Sequence, residues 1–263
     1  MTELEVAYTR RGTGSPLILV HGIGHRRQAW DPVLDLLAEH HDVIAVDLPG
    51  FGESPGLPAG LDYDMDTAMD NFAKMFAQWG IPRPHIAGNS LGGALALELA
   101  GRGLVSTATA LSPAGFWTPG QRRYAISMLS AMRRSAMLPA GVVERIARSP
   151  WQRALALKPI HEHGQRLSAD DFLADARSMA EAVAFGPTAR AGRNYDFEGV
   201  PQVPVTVAWG TRDRILLPKQ AALARRILPM ATHIPLPGCG HVPMLDDPEL
   251  VAGVILDTAG RAG

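Results

Sequence analysis

The stretch HIAGNSLGGALALELA, residues 85–100, decides how this chain folds. His85 to Ala87 read as the end of a buried strand, and from Leu91 onward the residues are apolar on nearly all sides, as in a helix covered by a sheet and its neighbours. Between them Gly88, Asn89, Ser90, Leu91 and Gly92 follow the pattern G-x-S-x-G, so a strand runs into a helix around one serine flanked by small residues. Such a serine can fill a turn, or it can be a nucleophile held on a sharp bend. In the second case the start of the helix supplies free amide donors and a positive dipole end beside the hydroxyl, an environment suited to developing negative charge.

Outward from this stretch the same alternation recurs. Short apolar runs stop abruptly at glycine, proline or a polar residue: PLILV (16–20), VIAV (43–46), HIA (85–87), TATAL (107–111), VPVTVAW (203–209) and THIPL (232–236). They read as buried strands of a mostly parallel sheet. AWDPVLDLLAEH (29–40) and MDTAMDNFAKMFAQWG (65–80) show apolar helical faces between strands, the second closed by Gly80. From Trp117 to Gly199 the alternation breaks. No strand-like run appears, while Ala125, Met128, Leu129 and Met132 fall at helical spacing, as do Phe172, Ala176, Met179 and Val183. This predicts a helical cap, residues 117–199, inserted into a core of residues 1–116 and 200–263. It should sit over the carboxyl edge of the sheet, where open α/β folds bind ligands.

Composition narrows the function. The 263 residues suit one large α/β domain, and 25 Lys plus Arg against 26 Asp plus Glu, with no single-sign block, favour a small or neutral ligand over nucleic acid. The N-terminal MTELEVAYTRRG lacks the apolar core of a signal peptide and no stretch has the length of a membrane span, so a cytoplasmic location is expected. A single cysteine, Cys239, forms no internal disulfide.

A serine hydroxyl needs a base to take its proton, and the base needs a third group to fix its tautomer. Asp213 stands just past the run VPVTVAW and His241 in a glycine-rich loop past THIPL, so Ser90, Asp213 and His241 would converge on one edge of the sheet. The loop HGIGH (21–25) reaches the same edge, and the backbone N–H groups of Ile23 and Leu91 are the expected oxyanion donors. Together LVHGIG, DLPGFGES, GNSLGG, WGTRDR and GCGHVPM resemble the α/β-hydrolase family, in its capped esterase and lipase branch, over nearly the whole chain outside the cap. The resemblance implies a mostly parallel twisted sheet with helices on both faces and a cap after the sixth strand. It implies Ser90 as nucleophile, Asp213 as acid, His241 as base, and Ile23 and Leu91 as oxyanion donors. Relatives that cleave halides or epoxides use a carboxylate at the elbow, and Ser90 argues against those activities.

The expected activity is therefore that of a carboxylesterase acting on small to medium, largely apolar esters, with no cofactor and no metal. Two other readings stay open. Asn89 before the serine resembles hydrolases that cleave carbon-carbon bonds of vinylogous diketone acids, with Arg190 or Arg193 to anchor a carboxylate, although Val242 stands where those relatives usually carry tryptophan. A small-molecule receptor that retains the triad is the other. Around the site, Asp246 and Asp247 rival Asp213 as the acid and otherwise suit a helix start. Asp47 reads as a turn-stabilising residue, His21 as a brace for the oxyanion loop and Cys239 as small-residue packing. His161 and His163 read as solvated cap surface rather than metal ligands, and DYDMD (62–66) lacks the glycine and final glutamate of a calcium loop.

Overall fold

In the computed structural model, which describes residues 5–262, seven strands form one sheet in the order β1-β3-β2-β4-β5-β6-β7. They are β1 (Tyr8–Arg11), β2 (Pro16–Val20), β3 (Asp42–Val46), β4 (His85–Asn89), β5 (Thr107–Leu111), β6 (Val205–Gly210) and β7 (Thr232–Leu236). All pairings are parallel except that of β1 with β3.

Each central strand is buried along nearly its whole length because its two faces feed two different cores. Ile18, Val20, Ile44, Val46 and Ile86 point to one side, Leu17, Leu19, Val43, Ala45 and Ala87 to the other. The pairing Leu17 with Val43 and Ile18 with Ile44 keeps like faces together, so a slip of one residue would exchange both cores. On the first side lie α2 (Met65–Trp79), α3 (Leu91–Gly101) and α9 (Gln220–Ile227); on the second, α1 (Asp31–Ala38) and α10 (Pro248–Ala259). Asp64 caps α2 by accepting the N–H of Thr67, and Gly80, at φ 64°, ends it in the left-handed conformation, as its sequence predicts.

Two strands depart from the sequence reading. The first, β1, has no apolar run, because it lies on the sheet's edge with its side chains mostly in solvent. β7 reads in sequence as a buried strand, yet only Leu236 is buried, since β7 forms the opposite edge. Between β5 and β6 run five helices, α4 (Pro119–Ala136), α5 (Ala140–Arg148), α6 (Pro150–Leu157), α7 (Ala169–Glu181) and α8 (Phe185–Ala191). The helical segment thus follows the fifth described strand and not the sixth: β1 and four of the six apolar runs precede it. A capping box of Thr118 and Gln121 starts α4, and Val143, Ala147, Leu157 and Phe172 form a small core within the segment. Val183, read as part of a helical face, falls beyond α7 and is exposed.

Candidate active site

The turn from β4 into α3 is tight enough to dictate its glycines. A Cβ on Gly88 would stand 2.0 Å from the carbonyl oxygen of Gly92, and one on Gly92 would stand 2.1 Å from that of Val20. Only hydrogen fits at either place. Ser90 sits between them at φ 58°, ψ −112°, a conformation that suits glycine and strains any residue with a Cβ. Its backbone is held by three bonds: its N–H donates to Leu111 O at 2.9 Å, and its carbonyl accepts from Ala94 at 3.0 Å and Ala114 at 3.1 Å. Although Ser90 occupies the N-cap of α3, its hydroxyl makes no cap bond. A turn-filling serine would spend its side chain there. Instead Ser90 faces a cavity of about 370 Å3.

Asp213 and His241 lie past the carboxyl ends of β6 and β7, as expected from sequence. His241 Nδ1 is 2.8 Å from Asp213 Oδ2, and both side chains are buried. The other oxygen, Oδ1, accepts the N–H groups of Ile215 and Leu216, each at 2.8 Å, which fixes the carboxylate's orientation. Asp246 and Asp247, the rival acids, are engaged elsewhere. Asp247 caps α10 through Leu250 N–H, while Asp246, instead of capping a helix, accepts three backbone N–H groups, from Gly240, Glu162 and His163. The end of β4 is joined to the His241 loop by Asn89, whose Nδ2 donates to His241 O at 2.8 Å and to Leu111 O at 3.1 Å. Sequence reasoning missed this role, since a buried amide's backbone partners leave no spacing signal.

Ile23 and Leu91 line the same cavity as Ser90, and among the described residues no protein acceptor meets either backbone N–H. The loop bearing Ile23 is braced by His21, whose Nδ1 donates to Gly22 O at 2.7 Å and whose Nε2 accepts from Leu48 N–H at 3.0 Å. That pair of bonds sets its neutral tautomer. Asp47, wholly buried, binds the N–H groups of Arg27 and Glu53 and the Arg27 guanidinium. It is a turn-stabilising residue, as read from sequence.

The cavity wall is mainly apolar, with Phe72, Met75, Trp117, Leu129 and Ile215 among its residues. Its acidic members are Asp47, Asp62, Asp64 and Asp66, and it includes no lysine or arginine among the described residues. Arg190 and Arg193 are exposed and do not face it. His241 and Asp213 stand outside its lining.

The reading of His161 fails as well. His161 is not solvated surface: it is buried, with Nδ1 at 3.0 Å from Val242 O, because the segment after α6 is pressed onto the His241 loop. Among the described residues no group of three or more His, Cys, Asp or Glu is placed to hold a metal. Cys239 packs in the second core, where burial pushes its thiol up to about 12 and leaves it unreactive.

Burial pushes the imidazoles of His21, His25 and His161 down to about 4. An unfolded chain binds protons at these histidines near pH 6.5, whereas the folded chain does so only near pH 4. Their contribution to stability is therefore complete above pH 6.5 and is lost as pH falls from there toward 4. Urea unfolding at pH 7.5, 6.0 and 5.0 should show a steep acid loss; equal unfolding free energies at the three values would contradict it.

Residues 17–254 match the profile of the alpha/beta hydrolase family. The chain is 31% identical, over 90% of its length, to the dihydrolipoyllysine-residue acetyltransferase component of the acetoin cleaving system of Pseudomonas putida, and it spans 61% of that protein. It is 25% identical to lipase 1 of Psychrobacter immobilis, over 92% of this chain and 76% of the lipase. The solved structure of a thermophilic esterase from Thermogutta terrifontis superimposes with a TM-score of 0.75 at 22% identity, covering 98% of this chain and 93% of that one, a likeness of fold. No helix among the described residues is long and apolar enough to cross a membrane.

Proposed function

The chain belongs to the alpha/beta hydrolase family, and on that footing we propose that it is a serine hydrolase which cleaves esters of small to medium, largely apolar substrates through an acyl-enzyme on Ser90. The observation that carries this reading is the strained Ser90, its hydroxyl unused as a helix cap and facing an apolar cavity shared with Ile23 and Leu91. Strain of this kind costs on the order of 1–3 kcal/mol and persists where a function requires it.

In this mechanism Ser90 Oγ attacks the ester carbonyl as His241 Nε2 takes its proton. Asp213 Oδ2 holds Nδ1–H, so the free nitrogen is the one that accepts. The developing oxyanion is met by the N–H groups of Ile23 and Leu91, each contributing about 3 kcal/mol of transition-state stabilisation. His241 then protonates the departing alcohol, and water repeats the sequence to release the acid. Residues 117–199 act as the cap that closes the cavity over the acyl group, with Trp117, Leu129 and Thr188 contributing to the wall.

That no lysine or arginine lines the cavity among the described residues, together with its aspartates, supports neutral substrates over the carboxylate-bearing acids of the carbon-carbon hydrolase reading. A p-nitrophenyl ester series from acetate to decanoate, run beside a p-nitrophenyl hemisuccinate, tests this. Neutral esters of medium chain length should exceed the hemisuccinate in kcat/KM by about tenfold or more. Preference for the hemisuccinate would overturn the substrate class. An organophosphonate adduct recovered on a peptide other than the one containing Ser90 would overturn the nucleophile.

A further inference from the structure

The loop that carries His241 is held on its backbone by groups that the reaction does not use. Gly240 N–H donates to Asp246 Oδ2 at 2.7 Å. That same oxygen accepts Glu162 N–H at 3.0 Å, and Oδ1 accepts His163 N–H at 2.7 Å. Val242 is bound at both polar atoms: its N–H donates to Ile160 O at 2.9 Å, and its carbonyl accepts from His161 Nδ1 at 3.0 Å. Arg166 closes the set by donating to Asp246 O at 2.6 Å. On the sheet side, the one side chain among the described residues that binds residues 240–242 through their backbone is Asn89, at His241 O.

Asp246 and His161 are both buried, 5% and 3% exposed, so each would be costly to keep if its bonds did no more than water could do. Asp246 is free for this task because Asp247 caps α10. His161 serves it as a neutral ring, since burial keeps it uncharged at ordinary pH and leaves Nδ1–H to donate.

We propose that Asp246 and His161 are positioning residues for His241, tying residues 240–242 to residues 160–163 of the helical segment, so that the place of the imidazole is set by that segment as well as by the sheet. This rests on the reading of His241 as the base for Ser90. Asp213 orients the ring; Asp246 and His161 locate the backbone from which the ring projects. A shift of the segment about 160–163 then shifts the base, and a misplacement near 1 Å is enough to lower a rate about a hundredfold.

The test uses His161→Phe, which keeps an aromatic ring but loses the donor, His161→Asn, which returns an amide N–H close to the position of Nδ1, and Asp246→Asn, which sets an NH2 against backbone donors. Active sites are counted with a fluorophosphonate so that unfolded protein is not scored. Expected per active site is a kcat lowered about ten- to a hundredfold in His161→Phe and Asp246→Asn, KM within about twofold of wild type, and most of the loss recovered in His161→Asn. Amide exchange in the peptide spanning 240–242 should quicken in the two impaired variants. Faster exchange with unchanged kcat would make the ties purely structural and overturn the assignment, as would a His161→Asn no better than His161→Phe. If Asp246→Asn does not fold, the two His161 variants decide alone. Ser90→Ala, run alongside, separates this from the parent reading. Persistent turnover there sinks the serine mechanism and this assignment with it, whereas an inactive Ser90→Ala beside full-rate His161→Phe sinks this assignment alone.

Discussion

Replacing Ser90 by alanine should lower kcat/KM for a neutral ester by at least about 10⁴, equivalent to about 5.5 kcal/mol of transition-state stabilisation. The hydroxyl is the only atom removed. The turn keeps its glycines, the backbone bonds to Leu111, Ala94 and Ala114 persist, and the cavity is unchanged in shape. Ser90→Gly gives the complementary result. At φ 58°, ψ −112° glycine relieves the Cβ strain, so this variant should be equally inactive yet more stable than wild type by about 1 kcal/mol. Steady-state kinetics and urea unfolding on the same preparations check both arms. A Ser90→Ala enzyme within tenfold of wild type would remove Ser90 from the chemistry, and a Ser90→Gly enzyme less stable than wild type would remove the argument from strain.

The second large effect is expected at Asp213. In Asp213→Asn the oxygen that accepts from Ile215 and Leu216 can be kept, which leaves the amide NH2 where Oδ2 stood, facing His241 Nδ1. That nitrogen must then accept rather than donate, so the proton moves to Nε2 and the ring no longer has a lone pair for the serine proton. With shape conserved and the tautomer reversed, kcat should fall by about 10⁴ while KM stays within a few-fold. Asp246→Asn falls far less, because Asp246 touches backbone and not the ring. A comparable loss at both positions, or an active Asp213→Asn, would transfer the acid's role away from Asp213.

Much of this arrangement was legible from the chain. Parallel strands buried on both faces are continuous apolar runs, so β2 to β6 stand out, and a strand-to-helix turn around Ser90 could be read because close backbone approach admits only glycine at 88 and 92. Edge strands carry no such mark. β1 has no apolar run to mark it, and β7 has one without being buried, since a strand paired on one side needs few apolar residues. Asp213 and His241 stand out in the sequence by their positions past strand ends, and the structure places their side chains within hydrogen-bonding distance of each other. His161 lies inside a run of polar residues and so looks solvated in sequence, while in the fold another segment covers it. Asp246 resembles a helix cap in sequence for a related reason: its three donors come from residues 162, 163 and 240, two of them more than eighty positions away.

Local physics along the chain encodes which runs become strands, where the serine turn must be, and which residue types stand at the ends of the strands. Those choices depend on side-chain volume, backbone freedom and periodicity, all of which act within a few residues. Which buried polar groups meet is set instead by the packing of distant elements. It brought Asp213 to His241, Asn89 to the His241 loop and Asp246 to the helical segment, and it kept Arg190 and Arg193 out of the cavity. A hydrogen bond across the fold depends on the relative placement of whole elements, and that placement is set by the packing of the two cores on the sheet.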